Sequence, residues 1–270
     1  MAIAAKGVDV VVHLAAALAQ FVRDETAMRA VNVGGTANAL AAAWQNGAKK
    51  FIFASSVEVY GVIVPIPCPE DAPMNPVCEY GRNKVESENI CHEYLAKGMN
   101  VTIFRPPTIN GPGQNEPTLL SQVHSAFMGK ALLMPGGGKT RLQMVYVDDV
   151  SRAIMLAIDL AEASRGAVLN LGSDDVPTFK EMATALFQRA GKKPKFININ
   201  ASIARGLVKF LAKFGKSPVE PQHLEIALRD YMFDTTQAKK VLGWSPTKTD
   251  IETAVETYDW HVAQQKAKES

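Results

Sequence analysis

Four short, continuous apolar runs, VDVVVHL (8–14), KFIFA (50–54), NVTIF (100–104) and AVLNLG (167–172), constrain the fold of this chain more than any other feature. Runs of this length, rich in branched residues and unbroken by polar alternation, read as strands of a parallel sheet buried on both faces. Helical periodicity fills the intervals. Residues 25–46 are Ala-rich and end at the stop signal Asn46-Gly47, and a second helix runs from about Tyr80 to Lys97. The Pro-rich stretch 62–79 between them reads as a loop. Such alternation predicts an α/β fold built on a doubly wound parallel sheet. Past RPPTINGPGQNEP the order is less regular. Helices are expected at 117–129, 149–164, 178–190, 201–214, 221–231, 235–242 and 250–265, with a Gly-rich turn at MPGGGKTR and a short strand at LQMVYV.

Composition excludes several classes. With 29 Lys and Arg against 27 Asp and Glu, the chain gives no argument for nucleic acid. Three cysteines, Cys68, Cys78 and Cys91, have neither metal-ligand spacing nor an even number, so no metal site or disulfide framework is expected, and a reduced, cytoplasmic setting fits. No apolar run reaches membrane-spanning length.

The chemistry sits in Tyr80-Gly81-Arg82-Asn83-Lys84, preceded by Ser55-Ser56 in FIFASSVEVYG. A tyrosine and a lysine four residues apart share one helix face. The ammonium is expected to lower the phenol's pKa and make Tyr80 a proton donor or acceptor near neutral pH, with Ser56 adding a hydrogen bond to a substrate oxygen. The GGGK at 136–139 lacks the spacing of a phosphate loop and reads as a tight turn between strands. The stretch 203–216, IARGLVKFLAKFGK, is amphipathic and basic; it reads either as a helix covering part of the fold or as one lying on an anionic membrane surface.

The segments VDVVVHLAA, AVNVGGTANAL, FIFASSVEVYG, YGRNK, FRPPTINGPG, VYVDDVSRAI, LNLGSDD and FDTTQAKKVLGWSPT, in this order, resemble the extended short-chain dehydrogenase/reductase family of the NAD-dependent epimerase/dehydratase type. The resemblance implies a Rossmann-type domain over 1–115 plus parts of 142–175, and a smaller C-terminal α/β substrate lobe over 116–141 and 176–270. It implies catalysis by Ser56, Tyr80 and Lys84. Ser56 is selected over Ser55 because it stands four residues before Tyr60; Ser55 also reads as a packed serine at the strand end. Leu14, Ala15, Ala16, Asn32, Ala54, Ser55, Pro106 and Pro107 would line an NAD or NADP site together with Tyr80 and Lys84. For Asn32, a helix N-terminal hydrogen bond is the alternative use. Glu58, Cys78, Thr108 and Arg141 would face substrate, although Glu58 also reads as a solvated carboxylate and Cys78 as a small polar filler. His13 is expected to be structural.

The implied activity is an epimerase or oxidoreductase acting on a hydroxyl or keto carbon, most readily of a sugar nucleotide. Homodimerisation through helices 25–46 and 80–97 is implied too. Val57 stands where dehydratases carry a proton-donating acid, which disfavours dehydration. Thr108 replaces a common Asn, and Leu142 stands where a diphosphate-binding Arg is usual, so a non-nucleotide alcohol or ketone, of hydroxysteroid type, remains the alternative substrate. The family's Gly-rich G-x-x-G-x-x-G turn does not precede Tyr80. About 60 residues of βαβ structure are correspondingly expected to be missing, as a fragment, a mis-assigned start or a deletion. The expectation is then a truncated Rossmann sheet with VDVVVHL at an exposed edge, weak dinucleotide affinity, or a non-catalytic remnant.

Overall fold

The computed structural model describes residues 3–18, 22, 24–62, 64–115, 117–214, 217 and 221–269. Ile63 of the Pro-rich loop, and Gly215 and Lys216 of the basic amphipathic stretch, lie outside the described residues. The chain divides into two compact units: Met1–Pro107 with Asp148–Leu171 and Phe233–Ser245, and Thr108–Val147 with Gly172–Met232 and Pro246–Ser270.

The first unit is built on a four-stranded parallel sheet of β1 (Val10–His13), β2 (Lys50–Ala54), β3 (Asn100–Arg105) and β7 (Val168–Asn170), in the order β1-β2-β3-β7. β2 and β3 are interior and almost wholly buried, as their unbroken apolar runs require. β1 departs from the reading of a strand buried on both faces and meets the expectation of an exposed sheet edge. It is the edge of the sheet, and only His13 of its four residues is buried.

One face of this sheet is covered by α2 (Gly35–Gln45) and α3 (Glu79–Ala96), which pack Leu40, Ala43 and Cys91 against Phe51, Phe53, Val101 and Ile103. α1 (Glu25–Arg29) starts at Asp24, whose carboxylate accepts from Thr26 N and Ala27 N. It joins α2 through one π-helical stretch, Ala30–Gly34. α5 (Val147–Asp159) and α9 (Thr236–Leu242) complete the helical complement. Lys50, at the first residue of β2, is buried with four acceptors around its ammonium: Asn100 Oδ1, Thr102 Oγ1, Ser164 Oγ and Ala161 O at 3.0–3.2 Å.

Residues 233–245, expected in the smaller lobe, belong to the first unit instead. Phe233 stacks on Tyr60, α9 packs on β7, and the indole of buried Trp244 donates to Asp149 O at 2.8 Å. Residues 108–115 and 142–147 conversely belong to the second unit, because β4 (Thr108–Asn110) pairs in parallel with β6 (Met144–Tyr146).

The second unit also contains α4 (Pro117–Met128), α6 (Phe179–Arg189), α7 (Ala201–Ala212), α8 (Pro221–Ala227), α10 (Asp250–Glu269) and the parallel pair β5 (Leu132–Pro135) with β8 (Phe196–Ile199). Its core joins Leu119, Val123, Met134, Met182, Leu186, Phe187 and Tyr258. α6 is started by a capping box, Thr178 with Glu181. Gly136–Gly138 form one tight turn following β5, all three at positive φ.

Candidate active site

The carboxyl ends of β1, β2 and β3 all open on the same edge of a parallel sheet, where open α/β folds bind ligands. Three segments emerge there. Leu14, Ala15 and Ala16 follow β1 and are exposed, Leu14 by 57%. Ala54, Ser55 and Ser56 end β2, and the buried pair Pro106-Pro107 ends β3. Pro106 O accepts from Val57 N at 3.2 Å, which ties the β2 and β3 exits together.

Ser56 is extended and caps a single 3₁₀ turn, Val57–Val59, accepting from Glu58 N at 3.2 Å. The first turn of α3 lies against that turn. Gly81 makes this approach possible: a Cβ there would stand 2.7 Å from Glu58 O and 3.0 Å from Pro76 Cβ. Cys78 is the N-cap of α3. Its Sγ accepts from Gly81 N at 3.3 Å and donates to Glu58 Oε2 at 2.8 Å. The small polar residue read at this position is therefore a helix cap that also holds a carboxylate beside Tyr80.

Tyr80 hydrogen-bonds Ser56 through its side chain. Burial is the main force pushing the Tyr80 phenol well above its ordinary value. The Glu58 carboxylate and Cys78 add to the rise, and the Ser56 bond only partly offsets it. The expected lowering by Lys84 is thus corrected: desolvation and the neighbouring carboxylate set the direction of the shift, and Tyr80 holds its proton at neutral pH in this state. Lys84 Nζ lies 5.5 Å from the Tyr80 ring centroid and 4.9 Å from that of Phe53, and it donates to Ala54 O at 2.5 Å. Burial lowers its pKa to about 8, against the attraction of Glu88, Cys91 and Glu58.

The remaining candidates are placed differently. Asn32, in the π-helical stretch, spends both ends of its amide on one residue of the β1 exit: Oδ1 accepts from Ala17 N at 2.6 Å and Nδ2 donates to Ala17 O at 3.0 Å. Neither a helix cap nor a free amide, it holds the Leu14–Ala17 segment in place. Ser55 Oγ donates to Glu88 Oε1 and is committed to the interior. His13 is structural. It meets Thr36 Oγ1 at 3.1 Å, lies between Phe51 and Phe53, and is kept neutral by burial and by Lys84. Thr108 and Arg141 belong to the second unit. Thr108 is exposed, and Arg141 is fixed by its backbone to Asp230 Oδ1 and Tyr231 N, each through one hydrogen bond.

A buried network below the site went unread in the sequence. Arg105, at the last position of β3, forms a two-pronged bond with Glu88 of α3 at 2.9 and 2.6 Å, their side chains 4% and 0% exposed. Arg105 also donates to Tyr60 Oη (2.8 Å) and Glu70 O (2.9 Å), and Tyr60 donates onward to Asn170 Oδ1 (2.8 Å). The network locks α3, the β3 and β7 ends and the Pro-rich loop together. An apolar strand that closes on Arg, with a helical Glu 17 residues before it, carries no periodic signal that would have paired them.

Residues 1–172 match the NAD dependent epimerase/dehydratase family. The chain belongs to that family. It is 28% identical over 263 residues to the uncharacterized protein y4nG of Sinorhizobium fredii (strain NBRC 101917 / NGR234), covering 96% of this chain and 65% of that one. It is 31% identical over 261 residues to a UDP-glucose 4-epimerase of Vibrio cholerae, covering 90% and 74%. A solved UDP-glucose 4-epimerase of Thermotoga maritima, with UDP-glucose, matches with a TM-score of 0.77 at 26% identity, covering 95% of this chain and 78% of that one. The Rossmann-like α/β parallel sheet is the fold of these epimerases.

Proposed function

We propose that this chain carries the proton-transfer half of a nicotinamide-dependent epimerase or oxidoreductase, with the sugar of a nucleotide sugar as substrate. The observation that carries the reading is the Ser56–Tyr80 hydrogen bond at the carboxyl end of β2, with Lys84 one helical turn behind Tyr80. Similarity to UDP-glucose 4-epimerases supports the substrate class.

The residues present fit the nicotinamide half of NAD. Lys84 offers an ammonium at Ala54 O, and the exposed Leu14–Ala16 segment and the Pro106-Pro107 backbone offer apolar and peptide surface. The Gly-rich turn for the pyrophosphate is not among the 270 residues. When bound, the nicotinamide supplies hydride exchange. Tyr80 supplies the matching proton: it donates to a carbonyl oxygen that is becoming an alcohol, and it takes the proton back in the opposite direction. Ser56 holds that same oxygen. Lys84, cationic below about pH 8, favours the tyrosinate whenever the proton leaves. Glu58, held by Cys78, stands beside the phenol and orients substrate hydroxyls. A second copy would dock on the helical segments 25–46 and 80–97, where Val31 and Trp44 are exposed.

One observation favours a non-nucleotide alcohol or ketone instead. Leu142, where the resemblance calls for a diphosphate-binding Arg, is half-buried and bridged to Tyr231. Assays of UDP-glucose and of a hydroxysteroid at millimolar NAD⁺, each with Tyr80→Phe as control, separate the two. Turnover of the UDP-sugar, lost in the variant, supports the first reading. Turnover of the steroid alone overturns it, and no turnover of either leaves a non-catalytic chain.

A further inference from the structure

α7 buries Ala204 and Val208 against Leu224 of α8. Its other side exposes Ile203, Leu207 and Phe210, and Phe214 continues the row in the turn beyond the helix. These four side chains are 66%, 51%, 58% and 62% exposed. At the α-helical rotation per residue they fall within an arc of about 60°. Phe210 and Phe214 meet edge to face, 5.2 Å between centroids. Lys213 borders this stripe on the side away from the buried face and exposed Lys209 stands about 40° further round, whereas Arg205 is spent on Glu225 at 2.9 Å. The charge around the stripe is one-sided. No Asp or Glu stands between Glu181 and Glu220, while eight Lys and Arg do, in a chain otherwise close to balance.

We propose that this face of α7 lays the second unit on an anionic lipid surface. A narrow apolar stripe with a cationic border is what the interface between headgroups and acyl chains accommodates: the rings and aliphatic tips enter, and the lysines stay at the phosphates. A second copy is the poorer occupant, because two such faces in contact would bring both basic segments together. No helix among the described residues is long and apolar enough to cross a membrane, so this contact lies on the bilayer and does not span it. The attachment stands whether or not the proposed catalytic reading holds, since no residue of it belongs to that site.

The test is sedimentation of the full chain with vesicles of phosphatidylcholine containing about a third phosphatidylglycerol, and with phosphatidylcholine alone. The chain is expected to co-sediment with the anionic vesicles, at least about tenfold more tightly than with the neutral ones. Phe210→Ser/Phe214→Ser is expected to weaken binding by at least about tenfold. Lys209→Glu/Lys213→Glu is expected to remove the preference for anionic lipid. All four positions are exposed, so thermal unfolding should be unchanged in both variants, which separates lost binding from lost folding. Wild-type protein that stays in the supernatant with anionic vesicles overturns the proposal. So does binding that both variants retain, or a lipid-free dimer that Phe210→Ser/Phe214→Ser converts to monomer without any vesicle binding.

Discussion

Replacement of Asp250 by Asn should stabilise the chain in a way that depends on pH. Asp250 opens α10, is 1% exposed, accepts from Met144 N at 3.1 Å through Oδ2, and has no hydrogen-bond partner at its buried Oδ1. Burial pushes its carboxyl up to about 8, the Met144 amide and the Ser173 hydroxyl offset only part, and the nearby Asp175 adds to the rise. Between the usual carboxylate range and pH 8 the folded protein therefore binds more protons than the unfolded chain. Stability present at low pH falls as pH rises through that window, and levels off above about pH 8. Each pH unit is worth about 1.4 kcal/mol. From pH 4.5 to 7.5 the ceiling is about 4 kcal/mol, and relaxation of the site brings the expectation to about 2–4 kcal/mol. Asp250→Asn keeps the acceptor for Met144 N and cannot ionise. Urea unfolding of both proteins at pH 4.5, 6 and 7.5 should show the variant gaining about that amount relative to wild type as pH rises. A difference constant to within about 0.5 kcal/mol across the series would refute the assignment of a neutral buried carboxyl.

Gly81→Ala should destabilise by about 1–3 kcal/mol and lower turnover more than it weakens binding, because α3 must retreat from Glu58 O and carries Tyr80 with it; denaturant curves and a kcat-against-KM split check this. Glu88→Gln should lose about 3–5 kcal/mol by stranding the buried Arg105 guanidinium, read as a lower urea midpoint. Asn32→Ala should lose about 1–3 kcal/mol by unpairing Ala17 N–H and C=O, with faster hydrogen exchange at Ala17 as its local sign.

The first unit was legible because its two central strands are interior, and interior parallel strands show as unbroken apolar runs. Lys50–Ala54 and Asn100–Arg105 coincide with their runs within a residue. β4, β5 and β8 were not legible. TIN, LLMP and FINI are three or four residues long and pair across 36 and 64 positions, so no local pattern marks them. At the site, the serine–tyrosine–lysine spacing is a local register and could be counted. The direction of the tyrosine's pKa shift could not, because it depends on burial and on Glu58, 22 residues earlier, brought close by Gly81 and Cys78. Asn32 shows the same limit: its position suggested a ligand contact, and only the fold shows its amide closing on Ala17.

Single-turnover assay of the chain with UDP-glucose at millimolar NAD⁺, wild type against Tyr80→Phe, tests the central claim most directly. NADH formation or epimerised product in wild type, reduced at least about 100-fold in the variant with NAD⁺ binding unchanged, is the predicted result. Turnover that survives Tyr80→Phe, or none in wild type while NAD⁺ binds, would contradict the account.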